Sequence, residues 1–152
     1  MDWCADTASK QIINKLRSDV FMQAYENEDL DRLAEIYKPK KMLVTAMHDQ
    51  ENFIQDNIGR IKSFKETKVG NTVSMWENVY ESTKLVDNSC SHIIRSRYDI
   101  GFIDGSAEIF QNLLEVKEKA IYIPAGGDNR GGIFDMFALG DFNSMKIYSQ
   151  LY

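Results

Sequence analysis

The chain has 152 residues and a formal net charge of −5, and its residues are 43% hydrophobic, 11% aromatic and 27% charged. This length and composition predict one globular domain, spanning residues 1–152, that buries its own core without a metal ion or disulfide bonds. The acidic balance does not provide the basic surface that binds phosphates, so nucleic acid is not an expected partner.

No run of the sequence reaches the roughly 18 apolar residues that a membrane-spanning helix needs, so no membrane association is expected. The first residues, MDWCADTASK, lack the basic and apolar regions of a signal peptide, which favours a cytoplasmic location. Cys4 and Cys90 have no paired spacing, and with only 2 histidines the chain offers no recognisable metal site. It also lacks the glycine motifs that bind phosphates or dinucleotides, so we expect no cofactor.

The first half of the chain predicts three helices and one strand. Residues 8–25 carry apolar side chains at helical spacing, which predicts one long amphipathic helix. Residues 27–39 predict a second, shorter helix, with Asn27 as its N-cap, acidic residues in the first turn and a stop before the proline. Residues 42–47 form a β-type run, and a third helix opens at His48 and the aspartate after it.

The second half of the chain predicts strands. Residues 72–82 and 91–103 alternate between apolar and polar side chains, as long antiparallel strands do. Residues 107–119 fit a helix or a strand, and we favour a strand that continues into the β-type run AIYIP. After a glycine-rich loop, PAGGDNRGG, residues 132–152 predict a hairpin of two apolar strands joined by a Gly-Asp turn.

One carboxylate, Asp135, lies inside the first strand of this hairpin, between Phe134 and Met136. An ionised and unpaired carboxylate in an apolar layer is costly, so Asp135 must either find a partner or accept a raised pKa. It is therefore a candidate acid or base. The alternative is a structural carboxylate that pairs with Arg95, Arg97 or a tyrosine.

The order of these elements resembles the nuclear transport factor 2-like fold, which includes ketosteroid isomerase and the SnoaL-like polyketide cyclases. The segments AYENEDLDRLAEIY and FDMFALGDFNSMKIYSQLY are similar to the family's helix-turn-helix and to its closing hairpin. The resemblance implies an α+β fold in which a cone-shaped, curved antiparallel sheet wraps around a long N-terminal helix, with two further helices. It also implies an apolar small-molecule pocket in the cone and a homodimer that pairs through the sheet.

The resemblance to ketosteroid isomerase places Asp135 at the protonated carboxylic acid of the oxyanion hole. Phe21 and Thr45 stand where those isomerases have a tyrosine and a base aspartate, so that particular reaction is not implied. A SnoaL-like cyclase or a related isomerase or dehydratase is the implied class of enzyme.

The other candidate residues come from the predicted strand faces and from the first helix. His92 and Tyr98 share one face of a predicted strand, and His92 can act as a general acid or base with Asp135. The expected substrate-binding residues are aromatic or polar and come from several elements: Tyr98, Trp76, Tyr80, Tyr25, Phe21 and Thr45. The alternative for the aromatic residues is packing in the core. His48, between the predicted strand and the third helix, is a further candidate for chemistry, and its alternative role is a position beside a helix N-cap.

Two functions of different classes remain open. The first is a cofactor-independent enzyme that isomerises, cyclises or dehydrates an apolar, oxygenated small molecule, polyketide- or terpenoid-like, by acid–base proton transfer. The second is a non-catalytic ligand-binding or dimerisation module, which the apolar residues on both faces of the last strands favour. A pocket that holds Asp135 and His92 would favour the enzyme, and a closed cone would favour the module.

Overall fold

The computed structural model describes residues 2–26, 28–46, 55, 69–115, 119–124 and 136–150. They form an α+β protein, as predicted. The helices are α1, which runs through Asp2–Ala8, Ser9–Ile13 and Asn14–Leu16; α2, Leu30–Tyr37; α3, Val69–Lys84; α4, Ser106–Leu114; and α5, Phe142–Tyr148. The strands are β1, Phe21–Tyr25; β2, Lys41–Thr45; β3, His92–Ser96; β4, Ile121–Tyr122; and β5, Phe137–Asp141. None of the described helices is both long and apolar enough to cross a membrane.

Strands β1 and β2 form a parallel pair, and α2 connects them. Parallel neighbours require a crossover connection, which the helix supplies here. Asp29 starts α2 by accepting a hydrogen bond from the backbone N–H of Arg32, and Lys38, with a φ of 44°, ends it in the left-handed conformation. The pairing places Tyr25 beside Thr45, so the carboxyl ends of the two strands lie together.

The parallel pair shares a hydrophobic core with α1 and α2. Met22 and Ala24 are buried and alternate with less buried residues along β1, as expected for a strand with one buried face. Leu33 and Tyr37 of α2 and Ala5 of α1 complete this buried cluster. Burial of one face of β1 therefore holds the N-terminal helix against the first sheet.

Strands β3, β5 and β4 form an antiparallel sheet with β5 in the centre. Ala138 and Leu139 of β5 are both 0% exposed, although consecutive side chains of a strand point to opposite faces. On one face, Ala138 belongs to a buried cluster with Val79 of α3 and with Met145 and Tyr148 of α5.

The opposite face of β5 carries Phe137 and Leu139, which form a cluster with Ile12 of α1 and with Phe102. The ring of Phe110 in α4 stacks on Phe137, with ring centroids 5.1 Å apart. Helices of the same chain therefore cover both faces of this sheet, which explains why β5 is apolar on both sides.

The change from β5 to α5 takes place at Asp141. Its Oδ1 accepts hydrogen bonds from the backbone N–H groups of Asn143 and Ser144, each at 3.0 Å, and its Oδ2 accepts one from the Ser144 hydroxyl at 2.6 Å. The pKa of Asp141 is lowered to about 2, and the hydrogen bond from the Ser144 hydroxyl contributes most to this shift. Asp141 is therefore an N-cap, and α5 begins directly after the strand.

Two glycines stand where a side chain would collide with its surroundings. A Cβ on Gly140 would lie 2.7 Å from the carbonyl oxygen of Ala120, so β4 approaches β5 closely only because residue 140 has no side chain. A Cβ on Gly101 would lie 2.0 Å from the ring of Trp3. The first obstacle is backbone, whereas the second is a side chain that is 64% exposed.

The prediction of one helix over residues 8–25 is wrong, because α1 ends at Leu16 and the last part of that range is β1. Arg17, with a φ of 52°, takes the left-handed conformation in which helices commonly end. The apolar residues that follow fit a period of two as well as a helical period, and pairing with β2 decides between the two.

The short helix and the strand predicted next are confirmed as α2 and β2, and the run AIYIP contains β4. The N-cap of α2 is Asp29, whereas Asn27 lies outside the described residues. The predicted third helix at His48 and residues 125–132 of the glycine-rich loop also lie outside them.

Two predicted strands are wrong. Residues 72–82 belong to α3, and residues 107–119, for which we favoured a strand, begin within α4. In α3, Val79 and Thr83 are buried one turn apart, and the Thr83 hydroxyl donates to the Val79 carbonyl at 2.7 Å. This hydrogen bond satisfies the hydroxyl group of a β-branched side chain inside the helix. The packing of α3 against the sheet, and not the alternating pattern of the sequence, decides the structure of this segment.

The predicted strand at residues 91–103 is shorter than expected, since β3 ends at Ser96 and a turn follows. The predicted closing hairpin is wrong, because Asp141 caps a helix where we expected a turn between two strands. Within the described ranges the strands form a parallel pair and a three-stranded antiparallel sheet. The α+β class is therefore right, and the cone of one curved antiparallel sheet is not confirmed.

Candidate functional site

The candidate site lies at the carboxyl ends of β1 and β2. Open parallel sheets bind ligands at this edge, where the loops that leave the strands carry polar groups. Here the loop from β1 to α2 returns one carboxylate to the end of β1, and α3 and the turn after β3 supply further side chains. We call Tyr25, Glu28, Asn78 and Tyr98 the carboxyl-edge cluster.

Glu28 is the centre of the carboxyl-edge cluster. Its Oε2 accepts a hydrogen bond from the backbone N–H of Tyr25 at 2.7 Å, and its Oε1 accepts one from the Tyr98 hydroxyl. Burial, and after it the hydrogen bond to Glu28, raises the pKa of Tyr98 to about 12. Tyr98 therefore keeps its proton at neutral pH and acts as the hydrogen-bond donor of this pair.

Two helices hold the tyrosines of the cluster in place. The side-chain amide of Asn78 in α3 donates to the Tyr25 hydroxyl at 2.6 Å. The Tyr37 hydroxyl in α2 donates to the backbone carbonyl of Tyr98 at 2.9 Å. Tyr37 is buried, and burial is the largest cause of its raised pKa. Its hydroxyl therefore also remains a donor at neutral pH.

The turn that carries Tyr98 is restrained by other contacts. Arg97 forms a two-pronged ion pair with Asp99, at 2.8 Å and 2.5 Å, and this pairing lowers the pKa of Asp99. The thiol of Cys4 in α1 donates to the backbone carbonyl of Asp99 at 3.2 Å. Tyr98 therefore reaches the cluster from a turn that is fixed both internally and by the N-terminal helix.

Three of the predicted substrate-binding residues, Tyr25, Tyr98 and Thr45, come from the elements that meet at this edge. Tyr25 and Tyr98 both contact Glu28. Thr45 ends β2 opposite Tyr25, and its hydroxyl oxygen accepts a hydrogen bond from the Gln23 amide at 2.6 Å. Side chains therefore link the two strands beside the cluster.

The other predicted substrate-binding residues make different contacts. Phe21 starts β1, at the end opposite the cluster, and two lysine ammonium groups lie 5.9 Å from its ring centroid. Trp76 packs edge-on against Tyr148, with ring centroids 5.3 Å apart. A lysine ammonium lies 5.0 Å from the ring centroid of Tyr80. These aromatic residues have packing partners of their own, and their role in binding stays a prediction.

The predicted acid–base pair also stays a prediction. Asp135 lies outside the described residues. His92 is the first residue of β3, opposite Asp141 in the antiparallel register, and its Nδ1 lies 3.0 Å from the Ser91 hydroxyl oxygen. His92 does not share a strand face with Tyr98, because β3 ends before the turn that carries Tyr98.

Glu28, Asn78 and Tyr37 are not among the residues predicted from the sequence. An acidic residue near a helix start already has a local role, because the helix dipole favours a negative charge there. The sequence around Glu28 therefore does not indicate its contact with Tyr98, 70 positions away. Asn78 lies in a segment whose pattern predicts a strand. The sequence signal that could have found this site is a tyrosine at the end of a strand, with a glutamate three residues after it.

Within the described part of the chain, no group of three His, Cys, Asp or Glu side chains could hold a metal ion. Comparison with known proteins gives no match to a family model, to a curated protein or to a solved structure. The chemistry of the carboxyl-edge cluster therefore has to be derived from its own geometry.

Proposed function

We propose that this chain is a cofactor-independent enzyme that binds an apolar, oxygenated small molecule, polyketide- or terpenoid-like, and moves a proton within it. Isomerisation, cyclisation and dehydration are the reactions of this class. The observation that carries the proposal is the convergence of Tyr25, Glu28 and Tyr98 at the carboxyl ends of parallel strands. Aromatic side chains that surround a few polar groups are the general form of a small-molecule site.

In this proposal Tyr25, Tyr98 and Thr45 bind the substrate. The Tyr25 hydroxyl accepts its hydrogen bond from Asn78, so its own proton can be donated to a carbonyl or hydroxyl oxygen of the ligand. Asp135 with His92 forms the proposed acid–base pair.

A nuclear transport factor 2-like fold of the SnoaL-like kind, a homodimer and a cytoplasmic location belong to the same proposal. The support for the fold is local, since α2 and β2 follow each other as the family resemblance implies. Size-exclusion chromatography with light scattering tests the homodimer directly, and a monomer at all concentrations would contradict it.

The acid–base step is tested at Asp135. Carbon-detected NMR titration of its carboxyl group, with Asp135→Asn as the assignment control, measures the pKa. A value of about 7 or higher would identify a desolvated carboxyl group suited to proton transfer. A value at or below about 4, the ordinary range of an aspartate, would contradict its proposed role.

Catalysis is tested by deuterium incorporation into a panel of cyclic ketones and hydroxylated terpenoids in D2O. Incorporation that depends on the wild-type chain and is lost in Asp135→Asn and His92→Ala supports the enzyme. Incorporation that is unchanged in both variants would remove these two residues from the mechanism.

The second candidate function is a non-catalytic ligand-binding or assembly module. Tyr98 and Glu28 satisfy each other's hydrogen bonds, which is common in structural networks as well as in active sites. Because helices cover both faces of the antiparallel sheet, an assembly surface would lie on helices or loops, where Ile103 and Ile147 are 72% and 69% exposed. Saturable ligand binding without deuterium incorporation would favour this module.

A further inference from the structure

The carboxyl-edge cluster offers a ligand more hydrogen-bond acceptors than donors. A carboxylate has about four lone-pair positions and no proton to donate, and the described residues use one position on each oxygen of Glu28. The single hydroxyl proton of Tyr98 points to Glu28, so the Tyr98 oxygen can only accept a bond from a ligand. The donors that remain are the hydroxyl proton of Tyr25 and the second amide hydrogen of Asn78.

Glu28 carries the one formal charge among the four residues of the carboxyl-edge cluster, and it is negative. Among the residues that the structure describes, Glu28 has no ion pair with a lysine, arginine or histidine. Arg97 acts on Tyr98 electrostatically, but both prongs of its guanidinium are directed to Asp99. A partly buried carboxylate without a counter-charge is a favourable position for a cation.

The residues of the carboxyl-edge cluster are not closed off from solvent. Tyr25, Glu28, Asn78 and Tyr98 are each partly exposed, whereas Tyr37, which supports Tyr98, is only 6% exposed. Aromatic rings that adjoin a carboxylate add a second attraction for an ammonium group, because the face of the ring is electron-rich.

An organic ammonium group fits the cluster better than a metal ion does. Calcium and magnesium require several oxygen ligands, and within the described ranges no three acidic, histidine or cysteine side chains lie close enough to provide them. An ammonium group needs one carboxylate and a few acceptors, and Glu28 and Tyr98 supply these. An anionic ligand would be repelled by Glu28.

We infer that the carboxyl-edge cluster binds the protonated primary amine of a small organic molecule, with Glu28 as the counter-charge and Tyr98 as an additional acceptor. This inference rests on the proposed function in that it takes the edge to be a small-molecule site. It adds the chemical class of the ligand, an ammonium group attached to an apolar, oxygenated body. The Tyr25 hydroxyl is then the donor for the ligand's oxygen.

The experiment compares three probes of equal length and different head group: hexylamine, hexanol and hexanoate at neutral pH. Binding to the 152-residue chain is followed by NMR on labelled tyrosine rings, with the signals of Tyr25 and Tyr98 assigned through phenylalanine variants. Hexylamine should shift both signals saturably and bind about tenfold more tightly than hexanol, and hexanoate should cause no shift. Added salt should weaken the binding of hexylamine and leave that of hexanol unchanged.

Glu28→Gln removes the charge and keeps an oxygen that can accept a hydrogen bond. It should lower the affinity for hexylamine to that for hexanol. Glu26→Gln is the matched control, because it removes one charge from an exposed residue two positions away and should preserve the preference for the amine. Loss of the preference in both variants would assign it to the general surface charge and overturn the inference.

The comparison of probes on the wild-type chain does not depend on the folding of any variant. Equal affinity for hexylamine and hexanol would overturn the inference of an ammonium ligand and leave the proposed small-molecule site in place. If none of the three probes shifts the Tyr25 or Tyr98 signals, the small-molecule site itself is contradicted.

Discussion

Replacement of Tyr98 by phenylalanine removes one hydroxyl group from the carboxyl-edge cluster and keeps the ring. The bond that is lost runs from this hydroxyl to Oε1 of Glu28. The bond from Tyr37 to the Tyr98 backbone carbonyl and the bond from the Tyr25 N–H to Glu28 do not involve the hydroxyl, so both remain. The substitution therefore removes a single interaction.

Hydrogen bonds to charged groups contribute about 1.5–3 kcal/mol to stability. Tyr98 and Glu28 are both partly exposed, so water can replace the lost donor, and the expected cost is at the low end, about 1.5 kcal/mol. In a domain of this size, 1 kcal/mol corresponds to about 2–4 °C in melting temperature, so Tyr98→Phe should lower Tm by about 3–6 °C.

Urea unfolding followed by far-ultraviolet circular dichroism measures this difference, and an unchanged m-value would show that the same surface is exposed on unfolding. Tyr80→Phe is the matched control. It removes the same atom from α3, where the hydroxyl has no hydrogen bond to a described residue, so a change within about 0.5 kcal/mol is expected. A Tyr98→Phe protein as stable as the Tyr80→Phe protein would show that the hydrogen bond from Tyr98 to Glu28 does not stabilise the fold.

The same bond has a signature at alkaline pH. The pKa of Tyr98 is raised from 10.0 to about 12 in the folded state, by burial first and by Glu28 second. The folded chain therefore holds this proton more tightly than the unfolded chain does, and the resulting stabilisation is complete below pH 10 and lost as the pH rises from 10 towards 12. The stability difference between wild type and Tyr98→Phe should shrink across this window. In an ultraviolet titration, the tyrosine ionisation that is present in wild type and absent from Tyr98→Phe should occur near pH 12.

Three further predictions concern the antiparallel sheet and the segments that follow its strands. Gly140→Ala should cost about 1–3 kcal/mol in urea unfolding, because a backbone carbonyl blocks the new methyl group. Gly101→Ala should cost less than Gly140→Ala, because an exposed tryptophan ring can turn away, and a change in tryptophan fluorescence should report that movement; equal costs would contradict this distinction. Asp141→Ala should cost about 1 kcal/mol at neutral pH through loss of the N-cap. Because folding lowers the pKa of Asp141 from 3.8 to about 2, this difference should disappear as the pH falls through that interval, and a constant difference would count against the cap.

The helix α2 and the strand β2 could be predicted from sequence because their signals are local. A candidate N-cap at Asn27, acidic residues just after it, a helical stripe that ends before a proline, and a short β-type run all lie within residues 27–47. No distant contact is needed to choose between helix and strand there. The prediction of Asn27 in place of Asp29 as the cap shows the usual uncertainty of a boundary, not of the element itself.

The segments that were predicted wrongly are those in which distant contacts decide between two periods. β1 becomes a strand because β2 pairs with it, and α3 becomes a helix because Val79 packs against the antiparallel sheet. The last segment is an exception, because neighbouring residues decide its structure. Gly-Asp is a good hairpin turn, but Asp141 accepts bonds from Asn143 and Ser144 and starts a helix instead.

The candidate site depends on both a local contact and contacts between residues far apart in the sequence. Tyr25 and Glu28 are three residues apart and form a local unit, which an isolated loop could hold only loosely. Tyr98 joins them from 70 positions away, and its turn is fixed by an ion pair, by the thiol of Cys4 and by the hydroxyl of Tyr37. These restraints are contacts within the chain itself. Glu28 and Tyr98 are therefore held in place by the fold, and a ligand would not have to supply the entropy cost of ordering them. Such preorganisation is the physical condition for a selective site on so small an edge.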